Sequence, residues 1–213
     1  MNWFWNTLGS SIGKKLMMAL TGLCFCLFLA GHLAGNLTVY GGKDLFNAYA
    51  EKLHALGPLL TVIEFLLLFM ALVHVLTGCF LFYGNLRARP KRYVKKKWAG
   101  GRTIGSATMP YTGFFMLGFV ILHLLNFTFI DKAGQTSFQV VSTTFSSPLY
   151  VVFYMFAMIV VGVHISHGLW SAFQSIGANH PKYMPLVQVA SVVFSLVIGA
   201  GFGALPIYIT FNP

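Results

Sequence analysis

Acidic side chains are nearly absent from this sequence. Its 213 residues include 4 Asp and Glu against 14 Lys and Arg, and charged residues of both signs make up 8% of the chain. A water-soluble domain carries roughly a quarter of its residues as charges, so this chain cannot dress a soluble surface. Cysteine is scarce as well. Cys24, Cys26 and Cys79 all lie inside apolar runs; an odd number there argues against a disulfide framework and fits small buried hydrophobes. No C-x-x-C-H sequence, no four-cysteine run and no G-x-G-x-x-G turn following a strand occurs. Their absence excludes covalent haem attachment, a resident iron–sulfur cluster and a dinucleotide fold.

What is present is apolar: 57% of residues are hydrophobic and the mean hydropathy is +0.74. Crossing the hydrocarbon core as a helix takes about 20 such residues. Five segments qualify, at about 15–40, 57–86, 105–130, 147–176 and 184–211, which predicts an all-α integral membrane bundle, one domain over 1–213. Some segments exceed the required length, so their ends project or tilt. Pro58, Pro110, Pro148 and Pro185 fall near segment starts, where a missing N–H costs little. No internal repeat or low-complexity tract stands out. Met1 to Gly13 is polar and aromatic, and the first apolar run is long enough to span, so an uncleaved anchor is expected rather than a signal peptide.

The basic residues set an orientation. With the N-terminus cytoplasmic, the inside carries Lys14, Lys15, Lys182 and a central loop of Arg87, Arg89, Lys91, Arg92, Lys95, Lys96, Lys97 and Arg102. The outside keeps only Lys43, Lys52 and Lys132. Eleven against three predicts an N-in, C-out topology. The net charge of +10 therefore points to a membrane face rather than to nucleic acid. The loop either serves topology alone or also docks a cytoplasmic partner or anionic lipid.

Four of the apolar segments each carry a histidine: His32 in HLAGN, His74 in VHVLTG, His123 in LHLLN and His164 in VHISHGLW. An ionisable group at that depth is costly and faces the bundle interior with a partner. A single such residue is more often a hydrogen-bonded core histidine; four on four helices are not. At about 1.5 Å rise per residue, His32 and His123 lie roughly 26 Å from the inner ends of their helices, and His74 and His164 roughly 19 Å. An outer pair and an inner pair result, expected to meet across antiparallel neighbouring helices. Two imidazoles facing each other are what a six-coordinate b haem requires. Gly31, Gly35, Gly78 and Gly168 beside them leave room for a flat ring, although ordinary small-residue packing explains them equally. Bare zinc fits poorly, with no H-x-x-x-H and no thiolate or acidic ligand converging. His167, three residues after His164, is the alternative ligand on that helix. His54 and His180 fall at the membrane interface.

With these residues assembled, the chain resembles the five-helix, di-haem cytochrome b membrane-anchor subunit of succinate:menaquinone oxidoreductases and quinol:fumarate reductases. The resemblance runs along essentially the full length. It is carried most specifically by GKKLMMALTG leading into LAGHLAGN, by FNAYAEKLHALGPLLTVIEFLLLFMALVHVLTG and by VHISHGLWSAF. It implies two b haems, the outer on His32 and His123 and the inner on His74 and His164. It also implies menaquinone as substrate, cytoplasmic flavoprotein and iron–sulfur partner subunits, and a bacterial cytoplasmic membrane location. Succinate chemistry would belong to those partners, since four carboxylates and one basic loop offer little for a dicarboxylate site. Glu64, ten residues before His74, is the candidate for proton transfer at a quinone, with Glu51 as its alternative. Lys14, Lys15, Ser10, Ser11, Arg87 and Arg102 are candidate partners for haem propionates. Two rivals remain open: the haem b anchor of another quinone-linked dehydrogenase, and a haem-free transporter that uses buried histidines. The quinol:cytochrome c pattern, with two histidines about a dozen residues apart on each of two helices, does not occur.

Overall fold

The computed structural model describes residues 2–88, 103–131 and 134–213. Arg89, Lys91, Arg92, Lys95, Lys96, Lys97, Arg102 and Lys132, on which part of the charge argument rests, lie outside the described residues. Among those described there are eight α-helices: α1 Asn2–Gly9, α2 Ser11–Asn36, α3 Lys43–His54, α4 Pro58–Ala88, α5 Ile104–Phe127, α6 Ser137–Phe145, α7 Pro148–Ser175 and α8 Met184–Phe211. A 3-10 turn, Leu37–Gly41, follows α2. Five of them, α2, α4, α5, α7 and α8, are long and apolar enough to cross a membrane. The five-span, all-helical architecture is therefore as expected.

Local chemistry sets the ends. Ser10 starts α2 by accepting a hydrogen bond from the Gly13 N–H at 3.1 Å, and Thr103 starts α5 by accepting from Ser106 at 3.0 Å. Such side-chain caps satisfy N–H groups that have no partner in the first turn. Pro148 opens α7, and Pro185 sits in the first turn of α8, where proline is harmless. Pro110 is different. It lies six residues into α5, so it removes a hydrogen bond inside the helix rather than at its start. At the other end of α7, Gly177 takes φ +90°, the Gly177 N–H reaches Gln174 O at 3.2 Å and the Ala178 N–H reaches Phe173 O at 3.0 Å. This double closure needs a residue free to adopt left-handed backbone, and glycine supplies it.

The first span runs Ser11–Gly41, ending near 40 as expected, with its last turn, Leu37–Gly41, tightened from α to 3-10. Three short helices, α1, α3 and α6, were not expected at all. Two of them lie at the same end of the bundle and dock on each other. Asn47 of α3 accepts a hydrogen bond from the Phe138 N–H at the start of α6, 2.9 Å away, and the Phe46 and Phe138 rings meet edge-on at 6.4 Å.

Four spans close into a ring. α2 packs on α4 and α7, α7 packs on α5, and α4 meets α5 more lightly, partly through Phe82 against Phe114. α8 lies outside this ring against α7, its most extensive neighbour, with a smaller contact to α2. Glycines let α7 and α8 approach closely: a Cβ on Gly199 would stand 3.2 Å from Met158 O, and one on Gly162 would stand 3.4 Å from Ser195 O. That is how helices associate in lipid, where dispersion replaces the hydrophobic drive. α7 carries much of the core, with Tyr154, Ala157, Met158, Val161 and Ile165 buried. α4 is the opposite case, since Thr77 is its only buried residue.

Candidate functional site

The ring brings the four histidines together in two couples. The His32 and His123 ring centres are 6.0 Å apart with their planes at 87°. The His74 and His164 ring centres are 6.5 Å apart with their planes at 63°. His32 meets His123 and His74 meets His164, on the helices the sequence suggests, but those helices are placed differently relative to one another. α2 and α5 both end where α3 and α6 meet, so they run in the same direction. They stand diagonally across the ring, as do α4 and α7. The expectation of antiparallel neighbours is corrected: neighbours are too close to hold a wide ligand between them, and only the diagonals leave that space.

The vertical spacing also differs. His74 Nδ1 lies 3.1 Å from Thr21 Oγ1 and 3.2 Å from Met18 O, so the inner couple stands level with Thr21. Thr21 precedes His32 on α2 by eleven residues, or about 16 Å at 1.5 Å per residue. The two levels are thus separated by more than twice the expected gap, because the helix ends are not level: Thr112 stands about 12 Å from the start of α5, while His164 beside it stands about 16 Å from the end of α7.

The donor set can be tested against what it might hold. Among the described residues no three His, Cys, Asp or Glu side chains gather around a common point. Each couple therefore offers two nitrogens, whereas bare zinc needs four ligands, or three and a water. An iron porphyrin brings four nitrogens of its own and needs two more. With metal–imidazole bonds of about 2.0 Å and roughly 1 Å from nitrogen to ring centre, the centres of two axial imidazoles sit about 6 Å apart. Both couples match. A Cβ at Gly31, Gly78 or Gly118 would meet no atom within 4 Å, so these three positions are open. Gly35 is not, for the Tyr49 hydroxyl occupies the position its Cβ would take, and Gly168 faces the Met109 methyl.

The outer couple sits in aromatic surroundings. Phe28 stacks on His32 at 5.2 Å and Phe202 of α8 lies 5.4 Å away. Phe119, Phe127 and Tyr154 surround His123, and the Tyr154 hydroxyl accepts from Asn126 at 3.0 Å. The buried Nδ1 of His123 has no hydrogen-bond partner among the described residues. In the inner couple, His164 Nδ1 lies 3.0 Å from Thr112 Oγ1.

Other expected residues stand apart from the couples. Glu64 is exposed, about 9 Å in from the start of α4 by helical rise, and Glu51 is exposed on α3. His167 is half-buried, with its Nδ1 3.4 Å from Thr103 Oγ1 and its ring edge-on to Trp170 at 4.8 Å. His54 Nδ1 meets Ala50 O at 2.7 Å, and His180 Nδ1 accepts from the Lys182 N–H at 3.2 Å. The Ser10 hydroxyl donates to Thr7 O at 2.6 Å, so its proton is committed to the helix start. Lys14 Nζ lies 5.8 Å from the centre of the Phe80 ring, while Lys15, Ser11 and Arg87 are exposed.

Residues 86–200, just over half of the chain, match the succinate dehydrogenase/fumarate reductase transmembrane subunit family. The chain belongs to that family. The matched stretch includes α5 and α7, with His123 and His164. The succinate dehydrogenase cytochrome b558 subunit of Bacillus subtilis (strain 168) is a relative, 24% identical over 147 residues, which is 68% of this chain and 69% of that one. No solved structure matches the chain. As a family member with five spanning helices, this subunit is a multi-pass protein of the bacterial inner membrane.

Proposed function

We propose that this subunit is a di-haem cytochrome b that anchors a succinate dehydrogenase or fumarate reductase complex and passes electrons between a cytoplasmic iron–sulfur subunit and menaquinone. The observation that carries the reading is the pair of histidine couples, with ring centres 6.0 and 6.5 Å apart, each supplying two imidazoles and, among the described residues, no third ligand. The relative's name, cytochrome b558, supports b haem as the group held.

His32 and His123 would hold the outer haem, and His74 and His164 the inner one. Bound there, the haems supply one-electron transfer. What the chain does is position them. The helix ring holds each couple across a diagonal, lipid-facing apolar side chains keep water away, and the imidazoles favour six-coordinate iron. Quinone chemistry also needs protons, and Glu64 on α4 supplies a carboxyl that a quinone can reach from the lipid. The flavoprotein and iron–sulfur subunits dock at the end bearing the start of α2 with Lys14 and Lys15 and the end of α4 with Arg87, which faces the cytoplasm in the N-in orientation.

Purification of the subunit with its co-purifying chains, followed by reduced-minus-oxidised spectroscopy and haem quantification, tests this. Two b haems per chain are expected, with His32→Ala or His123→Ala losing one and His74→Ala or His164→Ala losing the other. A haem-free preparation, or one mutant of each couple removing the same haem, defeats the reading.

A further inference from the structure

The structure reveals a repeat that the chain reads over twice without obvious sequence likeness. α2 carries Thr21-Gly22 and then His32; α5 carries Thr112-Gly113 and then His123, with nine residues between glycine and histidine each time. α4 carries His74 and Gly78, and α7 carries His164 and Gly168, again at one spacing. The contacts repeat with the spacing. Thr21 Oγ1 stands 3.1 Å from His74 Nδ1, and Thr112 Oγ1 stands 3.0 Å from His164 Nδ1. A Cβ on Gly22 would come within 3.3 Å of His74 Cε1, and one on Gly113 within 3.7 Å of His164 Cε1. Phe28 and Phe119 each precede an outer histidine by one turn and pack on it.

The hydroxyl chemistry is fixed by the helices. Thr21 Oγ1 lies 2.8 Å from Met17 O and 3.1 Å from Met18 O. Thr112 Oγ1 lies 3.1 Å from both Thr108 O and Met109 O. A hydroxyl has one proton, and in each case the preceding turn's carbonyls take it. Its lone pairs are then left for the imidazole, so Nδ1 must carry the hydrogen. For His74 the Met18 carbonyl, which can only accept, 3.2 Å from Nδ1, demands the same tautomer. Nε2 is then the bare nitrogen in both rings. The outer couple has no equivalent arrangement: His32 Nδ1 has only Asn36 Nδ2 at 3.5 Å, and His123 Nδ1 has no partner among the described residues.

We infer that Thr21 and Thr112 are positioning residues for the inner couple, accepting from His74 and His164 Nδ1–H so that Nε2 faces the metal and is a stronger donor to it. The inference rests on reading His74 and His164 as one bis-imidazole haem site. Partners of this kind fix a ligand's tautomer and raise its basicity, which favours ferric iron. Among the described residues His164 Nδ1 has Thr112 alone, whereas His74 keeps Met18 O when Thr21 is changed. Thr112→Val therefore has the larger effect.

The test is a potentiometric titration of the purified complex followed at the haem b bands, with the inner wave assigned as the one that His164→Ala removes. In Thr112→Val the inner wave moves to higher potential, by roughly a tenfold change in its ferric-to-ferrous ratio at fixed ambient potential, the low end of what loss of an outer-shell partner costs. Thr21→Val moves the same wave less, although Thr21 shares its helix with an outer ligand, and Thr112→Ser restores the wild-type position. Loss of the inner haem alone from Thr112→Val, with Thr112→Ser intact, also supports the inference. It is overturned if the inner wave stays put in both valine variants, if the outer wave moves instead, or if Thr112→Ser behaves like Thr112→Val. A wild-type complex with no haem removes the functional reading itself, whereas two haems with an unmoved inner wave remove this inference alone.

Discussion

Glu64 is a carboxyl on the exposed flank of a membrane span, a costly place for a charge unless it is neutral or near the interface. Its exposure suits a group that meets a substrate arriving from lipid, since a buried carboxyl would need a channel. Glu64→Gln keeps the shape and removes the carboxyl. Quinone turnover is expected to fall by roughly a hundredfold, the lower range for a lost proton-transfer group, with both haem signals intact. Turnover at the wild-type rate would dismiss Glu64 from that role. The histidines were legible in the sequence because an imidazole in an apolar run has few harmless explanations. Thr21 and Thr112 were not, since a threonine in such a run routinely bonds its own preceding turn, as both do. Their second contact crosses 53 and 52 residues of chain and becomes visible only when the helices are placed. A search for threonine-glycine at fixed distance before each outer histidine would have found them.

At the scale of the element, length and hydropathy gave the five spans to within a few residues. They missed α1, α3 and α6 for a physical reason. A helix of 8 to 12 residues is stabilised by docking and by caps such as the Thr136–Gln139 capping box, and a template of 20 apolar residues does not see it. Pro110 misled because a proline near an apparent boundary looks like a first-turn residue. Gly22 offers the sharpest test of how the elements fit. Its missing Cβ would stand 3.3 Å from His74 Cε1, so Gly22→Leu must displace that ring or separate α2 from α4. Overpacking of this kind costs typically about 1–3 kcal/mol. Inner-haem content is expected to drop while the outer haem remains, by haem quantification and spectral deconvolution. An equal loss of both would mean the helix pair fails as a whole rather than at one ring.

At the scale of the whole molecule, the interior is unevenly distributed. α7 and α8 supply the larger share of the core, while α4 buries Thr77 alone and is held by α2, lightly by α5, and by its histidine's bonds to Thr21 and Met18. A fourth wall so thinly packed relies on whatever its histidine grips. Hydrogen exchange on haem-loaded and haem-depleted protein in detergent is expected to show α4 losing protection on depletion while α7 and α8 keep theirs. Equal loosening of α7 and α8 would contradict that division.

The separation of the two histidine levels has an electrical consequence. About 16 Å along α2 is roughly half of a hydrocarbon layer about 30 Å thick. On the proposed di-haem reading, an electron exchanged between the two couples would cross about half of the voltage drop, a difference of roughly 1.2 kcal/mol for every 100 mV. With haems held at both couples as proposed, traffic between them would be driven or opposed by the energised state of the cell, and its net direction would answer to the membrane voltage as well as to the chemistry at either end.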